Sequence, residues 1–288
     1  MHFRLLPALL TALCALAVTF PGAAAAADPP ATGPPATTGK LVLDWGKFER
    51  ANRPAARFLR RSGGVRAVVE AVNRRLSLPE DLSVLFSDQL DVGPAYFPVR
   101  LVDGRRTKLI HMPGSFLTDT ARTMRRQLRG IHPRWKAKRR NRAAKRLMAS
   151  ATEFVLAHEI GHLLVDQLEI PVTGREEDAV DGFATYLLAN DPDFGPRSAL
   201  AAALQFVGMA QDGGRPRIED YADEHSVTMQ RAYQFMCWVY GSDRKRYRGL
   251  VGRDGLPRSR AARCAAEWRQ LNSSWSRLLA PHEVVPAA

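Results

Sequence analysis

The chain has 288 residues, with 42 Lys+Arg against 29 Asp+Glu and a formal net charge of +13. At 45% hydrophobic and 25% charged residues it can bury a sizeable core, which excludes wholesale disorder, and three Cys are too few for a disulfide-built mini-protein. The charge raises nucleic acid or another polyanion as a partner, so its location along the chain matters.

Residues 1–27 read as a signal peptide. Arg4 supplies a positive n-region, Leu5 to Phe20 an apolar run, and Ala23 to Ala27 the small residues of a cleavage site. The run is short for a bilayer span, and no other stretch reaches about 18 apolar residues, so no transmembrane segment is expected in the mature chain. Export to the periplasm or beyond is expected instead. Leu13 precedes Cys14 where a lipoprotein signal needs a small residue, which argues against a lipid anchor. Residues 28–39, rich in Pro, Ala, Thr and Gly, read as a disordered linker. Residues 40–281 then form a single domain and 282–288 a tail.

Val42 to Arg60 shows weak helical periodicity. Val65, Val68, Val69 and Val72 keep one apolar face of a helix that Pro79 stops. Leu82 to Phe86 predicts a short strand. Pro94 to Leu101 and Thr107 to Met112 flank Asp103-Gly104, the signal of a β-hairpin. Helices are predicted over Leu147 to Leu168, Glu176 to Leu188, Ser198 to Ala210, Val227 to Tyr240 and Ser259 to Leu279. An early small sheet followed by a mostly helical half makes the fold class α+β.

Arg122 to Arg146 holds 12 Lys/Arg and no acid. Together with Arg4 it accounts for the whole excess charge, since the rest of the chain balances. Three uses are open: a solvated helix-loop-helix, docking on an anionic envelope surface, or nucleic-acid binding. Trp135 is the lone aromatic in the segment, so no stacking ladder for single strands is present, and export disfavours nucleic acid further. Cys237 and Cys264 are the Cys left after cleavage; in an oxidising compartment they pair, or else they remain as two buried thiols.

His158-Glu159-Ile160-Gly161-His162 is an H-E-x-x-H sequence on a predicted helix. Two His at i and i+4 lie one turn apart on one face and can grip one cation from the same side. In a chain with seven His, chance gives about 0.007 such matches. The flanks, Phe154, Val155, Leu163 and Leu164, are apolar, and two His on a buried face are costly without partners or a metal. Zinc would lower the pKa of a bound water toward about 7, and Glu159 could take the proton as general base. A catalytic zinc site takes three protein ligands and keeps one position open. The next helix offers Glu176, Glu177, Asp178 and Asp181 as the third. Glu177 and Asp181 share a face, and Asp181 could fix a ligand His through its other ring nitrogen.

H-E-x-x-H followed by E-x-x-x-D resembles the thermolysin-like gluzincins, in which the Glu is the third ligand and the Asp orients the first His. Glu177 to Leu188 is also similar to the signature of the ImmA/IrrE zincins, which again selects Glu177. HEIGH, Glu177 to Thr185, Asp223 to Gly241 and Arg260 to Cys264 together resemble a bacterial domain-of-unknown-function family described as metallopeptidases, over about Leu82 to Leu279. The resemblance implies a zincin-like fold: a small N-terminal mixed β-sheet packed on a mostly helical half that carries the active-site helix. It implies a zinc-dependent peptidase acting on a peptide or protein, with His158, His162 and Glu177 as ligands, Glu159 as base and Asp181 behind His158.

His225 could donate to the oxyanion, as a second-sphere His does in thermolysin-like enzymes; alternatively Asp223 or Ser226 caps the next helix and His225 is incidental. Tyr186 and Tyr240 are weaker oxyanion candidates that read better as core, and His111 on the hairpin is weaker still. In zincins the substrate lies along a sheet edge beside the metal helix, so Thr107 to Met112 is the expected edge. Two other functions compete: a zincin scaffold that holds metal without catalysis, and a polyanion binder using residues 122–146. Intact Glu159 favours the enzyme.

Overall fold

The computed structural model describes residues 39–102, 105–252 and 255–284. The signal peptide and nearly all of the linker expected from the sequence lie outside these residues. The fold is α+β. A four-stranded mixed sheet has the order β1-β2-β4-β3, with β1 (Leu41–Trp45), β2 (Leu82–Phe86), β3 (Ala95–Val102) and β4 (Arg105–Met112). β1 runs parallel to β2, β2 parallel to β4, and β3 antiparallel to β4. The hairpin and β2 form where the sequence predicts them.

β1 does not. It occupies the start of a stretch whose weak periodicity suggests helix, and α1 begins only at Arg53 (Arg53–Ser62). The partner of β1 is β2, reached through α1 and α2 (Gly64–Arg75), so its strand character comes from a non-local pairing. Gly63, at φ 75°, lets α1 turn directly into α2.

The helical half follows: α3 (Gly114–Ile131), α4 (Ala137–Gln167), α5 (Glu176–Asn190), α6 (Arg197–Gly213), the short α7 (Ile218–Ala222), α8 (Thr228–Ser242) and α9 (Arg258–Leu279). At 31 residues α4 is the central element, packed against α2, α3, α5, α6, β3 and β4. Its C-terminal half is buried on nearly every side, as its long apolar run requires, whereas the half that carries the basic segment is largely exposed. None of the described helices is long and apolar enough to cross a membrane.

α4 ends in a left-handed turn. Glu169 has φ 50°, and the Ile170 N–H reaches back to the Val165 carbonyl at 3.1 Å, the six-to-one bond of a Schellman cap. Ile170 is buried behind it. This turn returns the chain toward α4, and Pro171 and Gly174 lead into α5.

The end of the described chain also belongs to the fold. Leu76 bridges Glu283, the Ser77 N–H donates to the His282 carbonyl, and Arg75 pairs with Glu283 at 3.4 Å. Residues 282 and 283, which sequence alone gives to the tail, thus make contacts with the domain.

Cys237 on α8 and Cys264 on α9 form a disulfide, 27 positions apart in sequence, within a small cluster that includes Leu256 and Ala261. The pairing ties α8 to α9. Unfolded, unreduced protein is expected to contain no free thiol at these positions. Its Cys237→Ala/Cys264→Ala variant should lose about 3 kcal/mol in denaturant unfolding, on a chain-entropy argument; two titratable thiols would refute the bridge.

Candidate metal centre

His158 and His162 point from α4 toward α5, and each is fixed from behind by a carboxylate. Nδ1 of His158 lies 2.8 Å from Asp181 Oδ1, and Nδ1 of His162 lies 2.7 Å from Glu176 Oε1. A carboxylate accepts only, so both Nδ1 atoms carry the proton, and in the neutral ring Nε2 is left with its lone pair. Those two Nε2 atoms face Glu177, at 3.1 Å from Oε2 for His158 and 3.2 Å from Oε1 for His162.

Glu177 is therefore the one of the four predicted carboxylates that faces both imidazoles. Asp181 serves His158, Glu176 serves His162, and Asp178 accepts a hydrogen bond from the Ser226 hydroxyl at 2.9 Å. The role of Glu176 was not expected from sequence. It was hidden because an adjacent pair of Glu at a helix start reads equally as favourable charge on the helix dipole.

The approach of the two helices is steric in origin. A Cβ on Gly161 would meet Val180 Cβ at 2.8 Å and Phe183 Cδ1 at 3.1 Å, distances that real Cβ atoms avoid. Only glycine at the fourth position of HEIGH lets α5 come this close.

Asp181 is 2% exposed, and burial alone would raise its pKa. His158 and Arg231 outweigh that and hold it below the usual carboxylate range. Arg231, from α8, donates from Nε to Oδ2 at 2.7 Å and from Nη2 to Oδ1 at 2.8 Å, a bidentate clamp, and its guanidinium lies 4.5 Å over the Phe206 ring. Sequence reasoning missed Arg231, because a single Arg on a helix carries no signal of its distant partner.

His225 enters from the segment between α7 and α8. Its Nδ1 and its backbone N–H both reach Asp223 Oδ1, at 2.9 and 2.8 Å, and its Nε2 is 2.9 Å from Glu177 Oε2. The alternative in which Asp223 or Ser226 caps α8 does not hold. The N-cap position is Val227, with no side-chain cap, while Ser226 bonds Asp178 and Asp223 bonds His225.

Glu159 is 6% exposed and lies beside this group. Burial pushes its carboxyl up, while the nearby His158 and His162 and a hydrogen bond from the Tyr96 backbone pull it down; burial wins. Tyr96 is on β3, which corrects the expected substrate edge. β4 is interior, flanked by β2 and β3, so Thr107 to Met112 cannot be an edge, and the edge strand beside the His-bearing helix is β3. Tyr186 is buried and its hydroxyl accepts from Arg75 at 2.8 Å, Tyr240 packs on the disulfide cluster, and the His111 ring is buried with Nε2 3.0 Å from the Ser87 carbonyl; none joins the site.

A cation fits this arrangement. One nitrogen of His158, one of His162 and one oxygen of Glu177 lie within 4.8 Å of one another. Glu177 Oε2 is buried and makes no well-formed hydrogen bond, although the Nε2 atoms of His158 and His225 lie 3.1 and 2.9 Å from it. A largely buried carboxylate facing three imidazoles needs positive charge among them, which protons on the rings supply in the metal-free chain and a bound cation would supply in their place.

A model of the family described as "Putative metallopeptidase" matches residues 48–279, and the chain belongs to that family. No curated protein and no solved structure matches.

Two outcomes follow from the geometry. Glu177→Ala should lower metal affinity by well over tenfold, and Glu176→Gln by about 10- to 100-fold through loss of His162 orientation. Asp178→Ala should leave it unchanged, and normal metal binding by Glu177→Ala in equilibrium dialysis would overturn the assignment. The second concerns pH. Burial lowers the His158 pKa, but Asp181 and Glu177 outweigh it and push it up to about 9 in the metal-free chain, from an ordinary 6.5. A raised folded value stabilises fully below pH 6.5 and is lost as pH climbs through 9. Metal binding needs the neutral ring and runs the other way. Across this window the melting temperature of the metal-free protein should fall while metal affinity rises; an affinity independent of pH would contradict it.

Proposed function

We propose that this member of the metallopeptidase family is a zinc-dependent peptidase of zincin-like fold that hydrolyses peptide bonds in a peptide or protein substrate. The observation that supports it most is the buried carboxyl of Glu159 standing beside the convergent donors of His158, His162 and Glu177. Two imidazoles and one carboxylate are a donor set that zinc takes in catalytic sites. When bound, the ion would polarise a carbonyl and make a water acidic at neutral pH.

The chain's own residues supply the rest. Glu159 accepts a proton from the attacking water and returns it to the leaving amine, and its upward shift suits both steps. His225, whose pKa is raised first by the Glu177 contact, keeps Nδ1–H on Asp223 and offers Nε2–H to the oxyanion. Asp181 and Arg231 hold His158 in place. An extended substrate lies along the β3 edge, which brings a scissile bond to Glu159.

A scaffold that merely held a metal would give no reason to bury an acid beside it without an ion-pair partner of its own. We further propose that the catalytic domain runs from about residue 40 to the packed C-terminal segment. The protein is exported, a reading supported by its N-terminal sequence and the Cys237–Cys264 bridge. The basic segment docks on an anionic envelope surface. Nucleic acid is disfavoured there because the Trp135 ring is already covered by His132, at 4.0 Å, and by the Arg139 guanidinium, at 4.1 Å.

Glu159→Gln should keep full metal content and lose peptide hydrolysis by at least 100-fold, and His225→Ala should lower kcat by about 100- to 1000-fold with KM little changed. Turnover by Glu159→Gln at wild-type rate, or metal-loaded wild type that cuts nothing across a broad peptide library, would reject the peptidase.

A further inference from the structure

We propose that a second divalent cation binds next to the first site, held by His225 and Glu224 with Glu177 as a shared carboxylate, and that this ion inhibits the enzyme. The inhibitory consequence rests on the peptidase reading above; the binding site does not.

Three donors define the position. A ring nitrogen of His225, an oxygen of Glu224 and an oxygen of Glu177 lie within 4.8 Å of one another. This trio and the trio of His158, His162 and Glu177 share Glu177 but do not merge into one group. Metal–ligand bonds to nitrogen and oxygen are about 2.0 to 2.2 Å, so each set can close on its own ion with small side-chain adjustments.

His225 carries the arrangement that marks His158 and His162. A carboxylate takes its Nδ1 and leaves Nε2 facing Glu177: Asp223 for His225, Asp181 for His158 and Glu176 for His162. Metal-bound imidazoles carry such a carboxylate behind them. The Oε2 atom of Glu177 has the His158 nitrogen at 3.1 Å and the His225 nitrogen at 2.9 Å, and with neither does it make a well-formed hydrogen bond. An oxygen placed between two donors in this way suits a carboxylate bridging two cations, a geometry known from two-metal sites about 3.5 to 4 Å apart.

Access and charge agree with this position. The His225 side chain is 40% exposed and Glu224 is exposed, so an ion reaches them from solvent without opening the buried first site. Glu177, Glu224 and Asp223 gather negative charge around the His225 ring, three carboxylates against the neighbouring Arg175 and Arg231. One imidazole with two carboxylates suits Zn²⁺, Mn²⁺ or Co²⁺ over Ca²⁺, which prefers an all-oxygen shell. An ion on Nε2 removes the N–H that His225 would offer to the oxyanion, so occupancy lowers turnover.

Metal-free mature protein titrated with Zn²⁺ or Co²⁺, with bound ions counted by elemental analysis after equilibrium dialysis, tests this directly. The wild type should bind two ions of unequal affinity. Glu224→Gln, an exposed substitution that leaves the core untouched, should weaken only the looser ion, by at least tenfold, and raise by a similar factor the zinc concentration that half-inhibits peptide hydrolysis. A wild type that stops at one ion, or a looser ion of equal affinity in Glu224→Gln, would overturn the second site. Two ions with the expected Glu224 dependence but no hydrolysis at one equivalent would leave the site standing and reject the peptidase.

Discussion

The candidate metal centre depends on how closely α5 can approach α4. Neither helix holds a complete donor set: α4 offers two imidazoles and α5 the carboxylates. The contact that joins them is the bare Cα of Gly161 against Val180. Helix separation depends on the side chains at the contact, and a Cβ at Gly161 would have to push Val180 and Phe183 of α5 away. Removing a single Cβ lets Glu177 face both rings while Asp181, one turn on, reaches behind His158. The same glycine therefore sets the distance of the metal-facing carboxylate and of the orienting one.

Bringing these groups together buries charge, and much of the remaining architecture compensates for that. At 2% exposure Asp181 alone would be pushed toward its neutral form, and a neutral carboxyl accepts the His158 Nδ1 proton more weakly than a carboxylate does. Arg231 keeps Asp181 ionised through two hydrogen bonds, and the half-buried Arg231 stacks over Phe206. Because Arg231 lies on α8, the position of α8 matters to the site. α8 is held by α6, by α9 and by the Cys237–Cys264 bridge. A covalent link outside the site thus supports the arginine clamp behind the first imidazole.

The parts legible in the sequence were those fixed by local spacing. HEIGH places two imidazoles on one helical face whatever the rest of the chain does, and E-x-x-x-D places Glu177 and Asp181 on one face of the next helix. The Asp103-Gly104 hairpin and the apolar face of α2 are equally local. What stayed hidden depends on contacts between distant segments. β1 is a strand only because β2 lies beside it. The order of the sheet decides which strand is the edge, and the hairpin signal is blind to order, so it does not distinguish β4 from β3. Arg231 and Glu176 look like ordinary surface charges until α5 and α8 are packed, and the contact of His225 with Glu177 requires the loop before α8 to fold back over α5.

The charge excess can be weighed the same way, through what it costs locally. Lys138, Arg139, Arg140 and Arg142 occupy the first turns of α4, whose N-terminal end carries positive partial charge, and no acid stands in the first turn. Each such cation disfavours the helix by a few tenths of a kcal/mol. Neighbouring acids do little to relieve it: within the segment Arg122 pairs with Asp119 and Arg126 with Asp212, both at the surface, where ion pairs contribute about 1 kcal/mol or less. Helix propensity could be met by Ala, Glu or Gln at lower cost, and solubility could be met by charges of either sign. The cationic face thus runs against the local preference of its own helix, which is consistent with the docking role proposed for it. Because this face and the two metal-facing imidazoles lie on one continuous α4, a surface that docks the first also fixes the orientation of the second.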